Sequence, residues 1–166
     1  MNFTVEPLGD HDATDFASGN ADLDTWLRKH AHGATGHGTR TFVLVSTEGT
    51  LVGYFAIAPH FIDRNAAPPR LARGASKQIP AILLAKLALD GSIQGRGLGS
   101  ELLLHALTTI ITAARKAGGR IVLVDAIDQN ASEFYEHHDF KPLPDQPRRL
   151  VMKLSTAAKV LGLPWP

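Results

Sequence analysis

A glycine-rich loop between two regular elements constrains the fold of this chain more than any other feature. Residues 82–90 form an apolar, strand-like run, the loop Gln-Gly-Arg-Gly-Leu-Gly-Ser follows at 94–100, and apolar residues then recur at helical spacing over 98–117. Three glycines within five residues let successive N–H groups approach an anion at the positive end of a helix, and Arg96 adds a charge there. The pattern predicts a pyrophosphate site. A tight strand-to-helix turn without a ligand is the alternative that the loop alone leaves open.

The order of residues within the loop separates it from other phosphate-binding loops. No Lys followed by Ser or Thr closes it, so it is not a Walker A nucleotide site. It resembles the Gln/Arg-x-x-Gly-x-Gly/Ala signature of the GNAT N-acetyltransferases, which Gln94, Gly97 and Gly99 match. In that family the loop amides hold the pyrophosphate of acetyl-CoA, so the resemblance implies acetyl-CoA as co-substrate.

A second segment resembles the same family at the expected place. Residues 121–126 are apolar and β-branched, which predicts the next strand, and residues 130–140 follow. The latter are similar to the family segment Asn-x-x-Ala-x-x-Phe-Tyr-x-x-x-Gly-Phe, a short helix whose tyrosine, here Tyr135, points toward the cofactor sulfur. Asp139 replaces the usual glycine, and Asp tolerates a left-handed φ better than most residues, so the turn is expected to survive. The motif-level resemblance spans residues 51–154.

The remaining signals complete a mixed α/β layout. Further elements are predicted as an edge strand at 3–7, a loop at 10–20, a helix capped by Asn20 or Asp22 and running through Ala31, a hairpin of strands at 41–46 and 51–57, an irregular segment at 64–77 and a final strand at 149–154. We therefore predict an α/β (α+β) fold with a mixed sheet flanked by helices, the GNAT acyl-CoA N-acyltransferase fold. The 166 residues, 44% of them apolar, suit one domain over 1–166.

Other parts of the chain resemble a particular branch of the family. Residues 16–27 followed by Ala31, residues 79–90, and Phe140-x-Pro142 with Asp145-x-Pro147 near the end are similar to the GNAT toxins of toxin–antitoxin pairs. Members of that branch acetylate the free amine of the amino acid on charged tRNA and so block translation. The resemblance thus implies aminoacyl-tRNA as substrate and a DNA-binding antitoxin as partner; it leaves the oligomeric state open, a homodimer included.

The resemblance also assigns roles to residues. Tyr135 is the candidate acid that protonates the departing sulfur, with an aromatic packing role as its alternative, and no strong general base is evident. Backbone groups of the strand before the loop would align the pantetheine and acetyl groups. The cofactor-binding set is Leu87, Ala88, Leu89, Gln94, Gly95, Arg96, Gly97, Leu98, Gly99, Ser100 and Asn130.

Charge offers a local rather than a global argument for RNA. The net charge is only +1, so any basic surface must come from uneven distribution. Residues 28–40 and residues 64–77 contain no Asp or Glu, which makes two basic surfaces possible. The alternative is that both segments are ordinary solvated loop and helix faces. The candidate acceptor-binding residues in them are Arg28, Arg40, Arg64, Arg70, Arg73 and Lys77.

Composition excludes several classes. The absence of Cys rules out disulfides and thiolate sites, and the spacing of His30, His32 and His37 matches no known metal pattern. The N-terminal residues show no signal peptide and no stretch is apolar enough to span a membrane, so we expect a cytoplasmic protein without a metal.

Two further functions stay open at this point. One is a GNAT acetyltransferase of a small-molecule or protein amine, which an acidic acceptor cleft would favour. The other is an antitoxin-binding partner in a DNA-binding repressor complex, with acetylation secondary, which an occluded loop would favour.

Overall fold

A mixed seven-stranded sheet organises residues 2–166, which the computed structural model describes. The strands are β1 (Phe3–Pro7), β2 (Arg40–Ser46), β3 (Leu51–Asp63), β4 (Gln78–Leu89), β5 (Ile121–Asp125), β6 (Lys141–Leu143) and β7 (Gln146–Lys153), in the sheet order β1-β2-β3-β4-β5-β7-β6. The β4–β5 pair is parallel, whereas β1–β2, β2–β3, β5–β7 and β6–β7 are antiparallel. The predicted mixed α/β fold is confirmed.

Helices connect several of the strands, and one follows the last strand. They are α1 (Ala21–Lys29), α2 (Ala31–Thr35), α3 (Pro69–Ala72), α4 (Leu98–Ala117), α5 (Gln129–His137) and α6 (Leu154–Leu161), with 3₁₀ turns at Arg64–Ala66 and Gly91–Ile93. The Asn20 side chain accepts from the Leu23 N–H at 3.0 Å, which confirms the predicted cap of α1. No helix in this described part of the chain has both the length and the apolar character to cross a membrane.

The chain divides into two compact units, each with its own core. Unit 1 comprises the residues up to Ala58 together with Ala85–Ala106, and unit 2 comprises Pro59–Leu84 together with Leu107–Pro166. The core of unit 1 is Phe16, Leu27, Ala31, Val43, Val45, Leu51, Tyr54 and Ala88, and that of unit 2 is Ile62, Leu71, Ala75, Ile79, Ala81, Ile121, Leu123, Leu143 and Val151. The single domain over 1–166 stays a prediction.

Several predicted boundaries are wrong. The first helix does not run through Ala31, because the backbone of His30 leaves helical geometry (φ −121°, ψ −21°) and separates α1 from α2. The segment 64–77 contains α3 rather than being wholly irregular. The last strand ends at Lys153, one residue before the predicted end, because Leu154 begins α6 with its N–H bonded to the Arg120 carbonyl at 2.9 Å.

The turn after α5 shows how a departure from the family motif is accommodated. Asp139 has φ of +70°, the left-handed conformation that the usual glycine would adopt. The N–H groups of Asp139 and Phe140 donate to the Glu136 and Tyr135 carbonyls at 3.1 Å each. The predicted turn with Asp at this position is confirmed.

Gly53 of β3 lets two strands of unit 1 approach closely. A Cβ atom there would lie 3.0 Å from Leu89 Cδ2 and 3.2 Å from the Ala88 carbonyl oxygen of β4. The backbone oxygen cannot move without disturbing β4, so Gly53 sets the position of the strand end that precedes the glycine loop.

We expect Gly53→Ala to lower the free energy of unfolding by about 1–3 kcal/mol, because it overpacks β3 against β4. Urea unfolding measures this. Gly33→Ala in α2 is the control, since nothing lies within 4 Å of its Cβ position and alanine favours a helix. Equal urea midpoints for Gly53→Ala and the wild type would contradict the prediction.

Candidate functional site

Asp90 anchors the start of the glycine loop. Its carboxylate accepts from the Ala17 N–H and the Ser92 N–H, each at 3.0 Å, and its own N–H donates to the Val52 carbonyl at 2.8 Å. Burial opposes the charged form, but the hydrogen bonds from Ala17 and Ser92 outweigh it and hold the pKa of Asp90 below its usual value. The carboxylate therefore stays ionised and fixes the 3₁₀ turn before the loop.

Gln94 anchors the loop a second time. Its Nε2 group donates to the Ser18 carbonyl at 2.7 Å and to the Leu89 carbonyl at 2.8 Å. Both amide protons thus bond to backbone carbonyls, and the side chain holds the loop in place. That Gln94 belongs to the cofactor-binding set stays a prediction.

The backbone from Gly95 onward carries the donors that an anion needs. Gly95 and Gly97 have φ of +79° and +73°, and nothing lies within 4 Å of a Cβ built at either. Within residues 2–166, no hydrogen bond uses the N–H groups of 95–99, and the exposed Arg96 guanidinium forms no ion pair. These groups lead directly into α4, whose macrodipole is positive at this end. The loop fits a pyrophosphate.

The strand that precedes the loop offers backbone groups for a second part of a long ligand. The parallel pairing of β4 with β5 runs from Ala81/Ile121 to Leu84/Val124, and β4 then continues to Leu89. Leu87 is half-buried, and Ala88 and Leu89 are buried. The extended backbone of 87–89 is the segment that the resemblance assigns to pantetheine and the acetyl group.

Tyr135 lies on α5 and is only 8% exposed. Its ring packs edge to face against Phe134 (5.3 Å between centroids) and Phe140 (5.4 Å). Burial raises the pKa of Tyr135, so its phenol is protonated at neutral pH, and the hydroxyl has no hydrogen-bond partner in the described chain. The ring is a packing element, and the hydroxyl remains available as a proton donor. Asn130 is exposed in the first turn of the same helix.

Charge is divided unequally between the units. Unit 1 has five Lys and Arg against nine Asp and Glu, a net −4, and unit 2 has twelve against seven, a net +5. The overall charge of +1 conceals this division. An RNA-binding surface is therefore more favourable on unit 2.

The six predicted acceptor-binding residues fall on both units. In unit 1, Arg28 donates to the Phe16 carbonyl at 2.7 Å and Arg40 donates to the Thr35 carbonyl at 3.0 Å, so both guanidinium groups already support local backbone. In unit 2, Arg64 donates to the Ala75 carbonyl at 3.1 Å. The exposed side chains of Arg70, Arg73 and Lys77 form no hydrogen bond or ion pair in the part of the chain described.

A cleft of about 400 Å³, partly open to solvent, lies within unit 1 and is acidic. Asp12, Asp15 and Asp90 line it, with Ser92 and Thr50. Asp90 is occupied by the two loop N–H groups, and Asp12 accepts from the Thr14 N–H at 2.9 Å. The described residues contain no group of three or more His, Asp or Glu suited to a metal ion.

Sequence reasoning missed the residues that hold the loop. The strand prediction includes Asp90 only as the last residue of the apolar run 82–90. Its position two residues before Ser92 is the signal of an Asx-type cap, in which the side chain accepts from the Ser92 N–H. Ala17 and Ser18 carry no such signal, because their contacts with Asp90 and Gln94 join residues more than 70 positions apart.

Comparison with known proteins agrees with this geometry. The family model described as the acetyltransferase (GNAT) domain matches residues 38–142. The tRNA-acetylating toxin of Mycobacterium tuberculosis is 39% identical over 154 residues, which make up 91% of this chain and 91% of that protein. The probable toxin TacT of Sinorhizobium fredii is 28% identical over 95% of this chain and 94% of its own length.

Solved structures are similar over nearly the whole chain. The structure of AtaT complexed with acetyl-methionyl-tRNAfMet has a TM-score of 0.87 at 26% identity and covers 96% of this chain and 99% of that one. AtaTR bound with AcCoA gives a TM-score of 0.82 at 27% identity, with 95% and 97% covered. The AtaT–AtaR complex bound to DNA gives 0.77 at 25% identity, with 95% and 98% covered.

We expect Gly97→Asp to abolish tight binding of acetyl-CoA, because it places a carboxylate among the free N–H groups. Each charge-assisted hydrogen bond that can no longer form is worth about 1.5–3 kcal/mol, or roughly a tenfold to hundredfold change in Kd. Gly38→Asp is the control, since Gly38 also has positive φ and open space at its Cβ position. Titration calorimetry on both folded variants decides, and unchanged affinity for Gly97→Asp would remove the loop from the site.

Proposed function

The chain belongs to the acetyltransferase (GNAT) family, and we propose that it is an acetyl-CoA-dependent N-acetyltransferase that acetylates the amino group of aminoacyl-tRNA. We also propose that it blocks translation in this way as the toxin of a toxin–antitoxin pair. The observation that carries the proposal is 39% identity to a tRNA-acetylating toxin over 91% of the chain, together with an intact anion-binding loop.

Binding and orientation of acetyl-CoA are assigned to the backbone. The unbonded N–H groups of 95–99 and the Arg96 guanidinium would hold the pyrophosphate, and the backbone of 87–89 would pair with pantetheine. When bound, acetyl-CoA supplies a thioester: the amine nitrogen forms a bond to the carbonyl carbon, and the C–S bond breaks. A strand N–H near the acetyl oxygen would stabilise the negative charge that develops there.

Tyr135 is proposed to complete the transfer by protonating the departing sulfur. The phenol is protonated at neutral pH and its hydroxyl has no hydrogen-bond partner in the described chain, so it would give its proton to the thiolate and recover one from solvent. The amine loses its own proton to water after the new bond forms. A dedicated base is not required, because the α-amine of an aminoacyl ester is much less basic than a lysine side chain and is partly neutral at physiological pH.

Partners follow from the same proposal. The AtaT–AtaR complex bound to DNA supports a DNA-binding antitoxin as the partner of this chain. Charged tRNA as the proposed substrate supports a cytoplasmic location, and a homodimer stays a prediction. The loop N–H groups are not occluded by other described residues, so nothing here favours a role as an antitoxin partner with acetylation secondary.

The acidic cleft of unit 1 favours a second candidate, an acetyltransferase of a small cationic amine. Asp12 and Asp15 would attract a polyamine, whereas tRNA would be repelled from that face. The resemblance to tRNA-acetylating proteins is far more specific than two exposed carboxylates. We therefore place the acidic cleft second.

One assay separates the candidates. Purified protein is incubated with labelled acetyl-CoA and either total aminoacyl-tRNA or spermidine, and acetyl transfer to each is measured. Aminoacyl-tRNA should be acetylated and expression without an antitoxin should stop growth. Transfer to spermidine alone, with normal growth, would replace the proposal with the second candidate.

We expect Tyr135→Phe to slow single-turnover acetyl transfer to aminoacyl-tRNA about 10²-fold, because only the proton donor is removed. Acetyl-CoA affinity should not change. Tyr54→Phe is the matched control: its hydroxyl donates to the Leu23 carbonyl at 2.7 Å, so it should cost about 1 kcal/mol of stability but no transfer rate. A wild-type rate for Tyr135→Phe would make Tyr135 a packing residue only.

We expect neutralisation of Arg70, Arg73 and Lys77 to weaken tRNA acetylation and to reduce its dependence on salt. The slope of log(kcat/KM) against log salt concentration should fall by about 0.7–0.9 for each RNA phosphate that is no longer neutralised. The Arg28 and Arg40 pair is the comparison, because unit 1 is acidic and these side chains already bond to carbonyls. Steady-state kinetics at two ionic strengths measure both sets. A larger effect from Arg28 and Arg40 would place the RNA on unit 1.

A further inference from the structure

A cleft within unit 2 combines positive charge with an aromatic wall. Its volume is about 130 Å³, and it is partly open to solvent. Leu71, Ile79 and Ile121 form its apolar lining, and Arg120, Lys153, Ser155 and Trp165 complete it. No Asp or Glu is among the described residues that line it.

The backbone brings the two cations to the same end of the paired strands β5 and β7. Ile121, which follows Arg120, pairs with Lys153 in the β5–β7 ladder. The Arg120 N–H donates to the Pro80 carbonyl at 2.8 Å, and the Arg120 carbonyl accepts from Leu154 at 2.9 Å. The positions of both residues are therefore set by main-chain hydrogen bonds that a side-chain substitution leaves intact.

Both cations are uncompensated. Neither side chain forms an ion pair or a hydrogen bond with any residue in the range 2–166. The sequence around them contains no acid over residues 102–124 or 146–166, and unit 2 carries a net +5. Two cations that line one cleft with no acid among its lining residues give the cleft a positive potential, which favours an anionic ligand.

The third feature is the Trp165 indole, half-buried against the same cleft. An inorganic anion would need only the cations, whereas a nucleotide also has a base that stacks on an aromatic ring. The Ser155 hydroxyl, which has no partner in the described chain, adds a donor at the start of α6.

We propose that this cleft binds one nucleotide of the tRNA substrate, with Arg120 and Lys153 on its phosphate and Trp165 against its base. The inference rests on the proposed function and adds to it a site that the sequence did not indicate. It assigns the body of the RNA to unit 2.

The test uses deacylated tRNA as the probe and measures its Kd by fluorescence anisotropy at several salt concentrations. The variant Arg120→Glu/Lys153→Glu is compared with Lys116→Glu/Lys159→Glu, which changes net charge equally at exposed positions of unit 2 outside the cleft. The cleft variant should bind about tenfold or more weakly, and its salt slope should fall by about 1 for each phosphate contact. The control should be affected markedly less.

Trp165 gives an independent readout. Trp165→Ala should weaken tRNA binding about fivefold or more without changing the salt slope, because stacking releases no counterions, and Trp165→Phe should restore most of it. Acetyl-CoA affinity should be unchanged in all variants, which excludes misfolding at the assay temperature and a cofactor site.

Equal losses of affinity in the cleft and control variants, or wild-type tRNA affinity in Trp165→Ala, would overturn the inference. Adenosine monophosphate that binds the wild type as tightly as tRNA does would also overturn it, in favour of a free nucleotide. Failure of the proposed function is a separate result, because the wild type would then acetylate no aminoacyl-tRNA. The affinities of the variants for deacylated tRNA would still test whether the cleft binds RNA.

Discussion

The hydrogen bonds of two side chains, Asp90 and Gln94, hold the backbone on which the chemistry of this protein depends. Both reach the same short segment, since Asp90 accepts from the Ala17 N–H and Gln94 donates to the Ser18 carbonyl. Ser18 is itself fixed, because its hydroxyl donates to the buried Asp24 carboxylate at 2.6 Å. The first turn of α1 is thereby connected to the loop, whose left-handed glycines would otherwise be free to adopt other conformations. The N–H groups of 95–99 are aligned before any anion arrives, so binding costs less ordering of the loop.

This arrangement explains why a glutamine suits the first position of the loop signature. A carboxylate of the same length has no proton to give to the Ser18 and Leu89 carbonyls, whereas the amide gives two. The Leu89 bond also joins the loop to the last residue of β4, and Gly53 lets β3 approach that same strand end. Strand and loop are therefore fixed as one piece. A cofactor that contacts the backbone of 87–89 and the amides of 95–99 meets donors whose relative positions are set by short hydrogen bonds.

Whether a feature could be predicted from the sequence depends on how far apart along the chain its interacting residues lie. The cap at Asn20, the helix at 98–117 and the left-handed Asp139 depend on neighbours within a few residues, and all three are as expected. By contrast, α6 begins at Leu154 with no side-chain hydrogen bond from its N-cap residue, and β6 has three residues that include Pro142, so neither carries a start signal. The β5–β7 pairing brings Arg120 and Lys153 to the same end of these strands, and no local sequence pattern predicts this pairing. Residues 102–124 and 146–166, which contain Arg120 and Lys153, lack Asp and Glu. This charge pattern is visible in the sequence, but hydrophobic periodicity does not reveal it.

The two anions proposed as ligands, the pyrophosphate of acetyl-CoA and the tRNA, are attracted over different distances. The distribution of charge between the units reflects that difference. The pyrophosphate loop lies in a unit of net −4, so its attraction must come from N–H groups and Arg96 at hydrogen-bond distance rather than from the field of the whole unit. Such contacts act well inside the Debye length of about 8 Å and are weakly screened by salt. An RNA is much larger than that length, and its capture depends on many separated cations acting together. Unit 2, with its net +5 and unpaired Arg70, Arg73, Lys77, Arg120 and Lys153, supplies that field. A polyamine would meet the opposite conditions, repelled where unit 2 is basic and attracted only at the acidic cleft of unit 1. Unit 2 thus offers a polyanionic acceptor a favourable surface, even though the chain as a whole is almost neutral.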